Sequence, residues 1–234
     1  MSLNTPVCVI TGGSSGIGLA TASRFLDDGY RVVLCGRDSQ RIAAASASLR
    51  VGEDRLTSLT LDIGDEGAGQ QLIDHAVGIF GRLDVLVNNA GTAPLAAAHQ
   101  MTPADFEATL ATNIRGVFAT TQAAWPHFRS QGGGAIVNIS SLSATDPFPG
   151  LGVYGASKAW VELFTKVTAE EGREHKIRVF AVAPGAVDTP LLQSLFPDIP
   201  QDVRLSATEV AEIIFRLTDD AMVPASGQTI AVRK

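Results

Sequence analysis

A chain of 234 residues with 45% hydrophobic and 18% charged side chains is too apolar for disorder and long enough for one sizeable core, so a single domain over residues 1–234 is expected. Its formal net charge of −6, without a Lys/Arg run, argues against nucleic acid or an anionic membrane surface as the main partner. No apolar run approaches the roughly 18 to 20 residues that cross a bilayer, and a small-molecule partner is the better expectation.

The chain opens MSLNTPVCVI, with no basic segment ahead of the apolar stretch. It reads as a first strand and not as an export signal, which points to the cytoplasm. Directly after VCVI comes TGGSSGIGLATASRFLDDG, a glycine-rich turn opening a helix. Gly12, Gly16 and Gly18 permit a tight turn and close approach of backbone to a pyrophosphate, which the free N–H groups and dipole of the helix N-terminus stabilise. Ser14, Ser15 and Ile17 lie in the same turn. In isolation the G-x3-G-x-G spacing could be an ordinary loop; its place after the first strand favours dinucleotide binding.

The second strand, RVVLC, runs into Gly36, Arg37 and Asp38. A carboxylate at position 36 would bind the ribose 2′-hydroxyl of NAD, and glycine cannot. Arg37 suits a 2′-phosphate through charge-assisted bonds of roughly 1.5–3 kcal/mol, so NADP(H) is expected ahead of NAD(H). The alternative makes Arg37 a solvated loop residue and gives the ribose to Asp38. Cys8 and Cys35 sit inside these apolar runs without a CxxC, and His75, His99, His127 and His175 are scattered, so inert thiols and no metal site are expected.

Five further apolar runs, LTSLTLD, VLV, AIVNIS, IRVFAVA and TIAV, complete seven short strands, most of them separated by helical segments. QGGG at 131–134 is a turn before AIVNIS. Strands alternating with helices predict a doubly wound α/β fold, with parallel pairing through right-handed crossovers and ligands beyond the strands' carboxyl ends. The stretch VYGASKAWVELF sets Tyr154 and Lys158 four residues apart, neighbours across one helical turn. A free phenol has a pKa near 10 and is only about 0.1% ionised at pH 7. An ammonium about 4 Å away at an effective dielectric of about 20 would contribute roughly 4 kcal/mol, lowering that pKa by about three units. Taken alone, this pair could arise by chance.

Taken in order, TGGSSGIG, Asp62 after the third strand, NNAG at 88–91, Asn113 in ATNIRGVF, the NISS strand end, YGASK and APGAVDTP resemble the short-chain dehydrogenase/reductase family over nearly the whole chain. The resemblance implies a Rossmann-type, seven-stranded sheet in the order 3-2-1-4-5-6-7, helices on both faces, and assembly as a homodimer or homotetramer. It makes Tyr154 the general acid/base, Lys158 its activator and a contact of the nicotinamide ribose, and Asn113 the residue of a kinked helix that holds a water. Ser141 completes the set, chosen over Ser140 and Ser143 because the family's serine usually lies thirteen residues before the tyrosine. By the same resemblance Asp62 and Ile63 flank the adenine, while Asn89, Ala90 and Gly91 lie along the adenosine ribose. Pro184, Gly185, Val187 and Thr189 receive the nicotinamide carboxamide.

Leu142, Phe148, Leu151, Leu191, Leu195 and Phe196 fall in the segments expected to border the substrate. They predict a neutral or hydrophobic ketone or secondary alcohol, although they could equally pack on one another or on a partner subunit. The expected activity is NADP(H)-dependent carbonyl reduction or alcohol oxidation, with a 3-oxoacyl carrier-protein reductase as the specific alternative. A non-catalytic NAD(P)-sensing module is the alternative of another class, disfavoured because binding alone needs neither the phenol nor the serine. Oligomerisation is expected through two long helices starting near residues 103 and 152.

Overall fold

Seven parallel strands form one sheet in the order β3-β2-β1-β4-β5-β6-β7 in a computed structural model that describes residues 5–234. The strands are β1 Val7–Thr11, β2 Arg31–Gly36, β3 Leu56–Thr60, β4 Val85–Asn88, β5 Gly134–Ile139, β6 Ile177–Pro184 and β7 Thr229–Val232. The helices are α1 Gly16–Asp27, α2 Ser39–Ser48, α3 Ala68–Phe80, α4 Pro103–Leu110, α5 Gly116–Gln131, α6 Gly152–Gly172, α7 Pro190–Leu195 and α8 Ala207–Leu217. The strand part of the opening stretch is β1; its residues 1–4 lie outside the described residues. No helix among the described residues is long and apolar enough to cross a membrane.

The near-continuous apolar runs of the strands follow from burial on both faces, as parallel sheets require. Along β1 the alternation divides the core: Cys8 and Ile10 join Phe25, Leu34 and Ile214 on the face covered by α1 and α8. Val7 and Val9 join Leu72, Phe128 and Ile136 on the face covered by α3 and α5. Both thiols are fully enclosed, and burial pushes Cys35 up to about 12 and Cys8 well above its ordinary value, which leaves them protonated and unreactive at neutral pH.

Helix boundaries follow local chemistry. Ser206 and Glu209 close a reciprocal capping box on α8, and Thr102 with Pro103 starts α4. The long helix expected from residue 103 is interrupted: α4 and α5 are joined by a π-helical turn at Ala111–Arg115, which carries Asn113. The switch in strand order lies between β1 and its neighbours β2 and β4, where a doubly wound sheet opens a crevice at its carboxyl edge.

Candidate active site

A cleft of ≈ 840 Å³ occupies that crevice. Gly12, Ser14, Ser15, Gly16, Ile17, Arg37, Asp62, Ile63, Asn89, Ala90, Gly91, Ser141, Tyr154, Lys158, Pro184, Gly185, Val187 and Thr189 all line it. Gly18 and Asn113 lie behind the wall.

The glycine-rich turn is built around close approach. Gly12 has φ +67°, and a Cβ there would lie 2.8 Å from Ala90 Cα. Gly18 acts from beneath, since its Cβ would meet the Gly12 carbonyl at 2.4 Å. Asn89 braces the turn, its Nδ2 donating to the carbonyls of Thr11 and Gly12 at 2.9 and 3.0 Å, while Thr11 Oγ1 accepts from the Asn89 and Ala90 amides. Across the cleft, Thr189 caps α7, and its Cγ2 would lie 2.9 Å from a Cβ on Gly16. Side chains on Gly12 and Gly18 would collide with Ala90, Asn89 and the turn's own backbone, so glycine lets the turn pack tightly at the start of α1, where the helix N-terminus favours a phosphate group.

Farther along the cleft, Asp62 Oδ1 accepts from the Gly64 amide at 2.9 Å, and Ile63 is buried against Gly116. Asp38 is the N-cap of α2, its carboxylate accepting from the Gln40 and Arg41 amides at 3.0 Å each. Both bonds fall on one carboxylate oxygen, Oδ1, so the cap role engages half of the Asp38 carboxylate. Arg41, which the sequence reading passed over, also lines the cleft, and its guanidinium donates to Ser15 Oγ at 3.2 Å. Two arginines therefore flank Gly36, one fastened to the phosphate turn.

At the other end, Lys158 is 3% exposed, and its Nζ donates to the Ile139 carbonyl at 2.7 Å. Burial lowers its pKa to about 8. The ammonium stands 5.7 Å from the centroid of the Tyr154 ring. Burial raises the Tyr154 pKa, opposed by a hydrogen bond with the Ser141 side chain. The expected lowering of the phenol by its lysine is thus absent from the free protein: Lys158 is turned toward a backbone carbonyl, and desolvation of a buried phenolate wins.

Asn113 is fully buried. Its Oδ1 accepts from the Thr92 amide at 2.9 Å, and its Nδ2 donates to the Thr92 carbonyl and Ser157 Oγ at 3.0 Å each. Ser157 in turn donates to the Tyr154 carbonyl at 2.6 Å, so the π turn is tied to the tyrosine's helix. A Cβ on Gly91 would lie 3.5 Å from both Asn113 Oδ1 and Lys158 Nζ, which places this glycine beside both groups. Gly155 and Ser157 explain the small residues between Tyr154 and Lys158: one admits the Ser143 carbonyl and the other completes the Asn113 link. Ser140 is committed elsewhere, donating to Glu162 Oε1 at 2.9 Å.

Leu142, Phe148, Leu151, Leu191, Leu195 and Phe196 share the same cleft. Among the described residues, its Lys and Arg side chains are Arg37, Arg41 and Lys158. These six side chains give the cleft an apolar stretch, and Arg41 lies against the glycine-rich turn at Ser15.

A nucleotide cradle at the strand switch, with a half-buried tyrosine and a buried lysine beside it, marks a pyridine-nucleotide oxidoreductase. A family model for short chain dehydrogenases matches residues 6–200, and the chain belongs to the short-chain dehydrogenase/reductase family. It is similar to the 3-oxoacyl-[acyl-carrier-protein] reductase FabG of Thermotoga maritima, 34% identical over 99% of this chain and 98% of that protein. It is also similar to the 2-(R)-hydroxypropyl-CoM dehydrogenase of Xanthobacter autotrophicus, 33% identical over 97% and 96%. A solved structure of the 3-ketoacyl-(acyl-carrier-protein) reductase of Brucella melitensis, complexed with NADH, superposes with a TM-score of 0.91 at 33% identity, covering 99% of this chain and 98% of that one.

Proposed function

We propose that the protein is an NADP(H)-dependent carbonyl reductase or secondary-alcohol dehydrogenase for a small, neutral or hydrophobic substrate, with both sites carried by one domain. The NADP(H) preference rests on two arginines, Arg37 and Arg41, lining the cleft with Gly36, where the adjacent Asp38 already uses one carboxylate oxygen to cap its own helix. The cradle at Gly12, Ser14, Ser15, Gly16 and Ile17 holds the pyrophosphate, and Asp62 and Ile63 border the adenine. Bound NADP(H) supplies or accepts hydride at the nicotinamide C4. Tyr154 transfers the proton to or from the substrate oxygen, and the Ser141 hydroxyl donates to that oxygen as negative charge develops. Lys158 holds the nicotinamide ribose and presents a cation behind the phenol, while Asn113 fixes the helix turn beside it.

The test is a pair of titrations with NADPH and NADH followed by nicotinamide fluorescence. NADPH should bind about 10- to 100-fold more tightly, and Arg37→Ala or Arg41→Ala should each remove roughly tenfold of that ratio. A wild-type ratio near one overturns the preference, and binding of neither nucleotide points to a protein that does not use them. Substrate class is read from NADPH oxidation with ethyl acetoacetate, acetophenone and acetoacetyl-CoA. The 3-oxoacyl carrier-protein reading is favoured by the names of two relatives, and faster turnover of the thioester than of the ester would select it. If none of the three is reduced, the neutral-ketone assignment fails.

The homo-oligomer belongs to the same reading and is supported by an apolar face on α5 and α6. Phe118, Leu163 and Val167 are 45%, 63% and 48% exposed, beside a stacked Trp160–Phe164 pair, and such a patch favours burial against a second copy. Leu163→Glu should shift the particle toward monomer in light scattering; an unchanged mass would place the contact elsewhere. With a charge of −6 and no spanning helix among the described residues, the proposed location is the cytoplasm.

A further inference from the structure

Ser141 is bonded twice by one neighbour. Its Oγ accepts from the Ser143 amide at 3.1 Å and donates to Ser143 Oγ at 3.2 Å. Ser143 opens into the cleft from the short helical turn Leu142–Ala144. It is also pinned from behind, because a Cβ on Gly155 would lie 2.4 Å from its carbonyl oxygen. Ser143 therefore spans the gap between Ser141 and the helical turn that carries Tyr154.

A count of protons gives this contact a consequence. The Ser141 hydroxyl has one proton and two lone pairs. Its resting hydroxyl partners are Ser143 Oγ at 3.2 Å and Tyr154; with the protonated phenol donating to Ser141, the serine's own proton is directed to Ser143 until the phenol turns to a substrate. To stabilise a substrate oxygen the serine's proton must turn away, which would leave Ser143 Oγ without its donor. A hydroxyl is both donor and acceptor, so Ser143 can rotate its own proton onto Ser141 as Ser141 turns. Accepting two hydrogen bonds then polarises the Ser141 O–H toward the oxygen where charge develops. An alanine at 143 keeps the amide contact and loses the reversal.

We infer that Ser143 is the positioning residue of the carbonyl-reducing step: it holds the Ser141 hydroxyl at rest and, by reversing their mutual hydrogen bond, frees its proton for the substrate oxygen. The inference rests on the proposed role of Ser141 as donor to that oxygen.

The experiment measures kcat, KM and NADPH affinity for wild type, Ser143→Ala, Ser143→Thr, Ser141→Ala and the double alanine variant. The substrate is whichever of ethyl acetoacetate, acetophenone and acetoacetyl-CoA the wild type reduces fastest. Ser143→Ala should lower kcat about 3- to 10-fold, the scale of one neutral hydrogen bond, with NADPH affinity unchanged. Ser143→Thr, which keeps the hydroxyl, should restore most of the loss. In the Ser141→Ala background, removing the second hydroxyl should have no further effect, because a residue acting through another is non-additive with it. An unchanged kcat in Ser143→Ala overturns the inference, as does an equal loss in the Ser141→Ala background. A Ser141→Ala variant with wild-type kcat overturns instead the role of Ser141 on which it rests.

Discussion

Replacing Tyr154 with phenylalanine should lower kcat by about two to four orders of magnitude while leaving NADPH affinity within about twofold, since positioned proton transfer contributes on that scale. The variant removes one oxygen from a ring enclosed on α6, where Gly155 and Ser157 fix the surrounding turn. The loss to stability is that of a hydrogen bond to Ser141, about 1 kcal/mol. The raised pKa of the phenol gives the prediction a direction in pH. In the free protein Tyr154 carries its proton throughout the neutral range, loaded for donation to a carbonyl. Reduction should therefore be lost as pH rises through the tyrosine's pKa, whereas oxidation of the alcohol should gain with pH, because it needs the phenolate. That pKa lies above its ordinary value near 10, so steady-state rates from pH 6 to 10 should show oxidation rising with pH while the tyrosine causes no loss of reduction, and a Tyr154→Phe variant retaining a tenth of wild-type kcat would remove the tyrosine from the chemistry.

The fold was legible because its local and tertiary requirements coincide. Strands buried on both faces need unbroken apolar runs, and VCVI, RVVLC and AIVNIS are such runs. The glycine-rich turn was legible for a similar reason: the positive φ at Gly12 and Gly16 and the close approach at Gly18 are demands that few residue types meet. The π turn at 111–115 was foreshadowed only by the family resemblance, which makes Asn113 the residue of a kinked helix; ATNIR itself contains no helix breaker. The bonds that accompany it run from Asn113 to Thr92 and Ser157, brought together only by folding. The capping role of Asp38 was open to reading, since an aspartate just ahead of a helix is a cap signal. Arg41 was not, because its link to Ser15 crosses from one βα unit to another. The spacing of Tyr154 and Lys158 showed that they are neighbours and could not show which way the ammonium turns or how far burial would raise the pKa of the phenol.

Lys158→Met should separate the lysine's contribution to activity from its effect on folding. Activity should fall by orders of magnitude, as in Tyr154→Phe, but here NADPH affinity should fall too, because the ammonium is proposed to hold the nicotinamide ribose. The effect on folding follows from burial, which takes the lysine from 10.5 to about 8. Below pH 8 the group is charged in both folded and unfolded chains, and the native state bears the full desolvation penalty. Between about 8 and 10.5 the unfolded chain binds more protons, so stability rises with pH through this window. The gain is about 3 kcal/mol for a shift of this size. The tyrosines and cysteines, whose pKa values are raised by burial, act in the opposite sense at the alkaline end. Those groups remain in the methionine variant, so the difference between the two proteins isolates the lysine. Urea denaturation at pH 7, 8, 9 and 10 should show the wild type gaining on Lys158→Met step by step above pH 8. Parallel stability profiles would mean that Lys158 keeps an ordinary pKa in the fold, and its proposed place as the buried cation behind Tyr154 would fall with it.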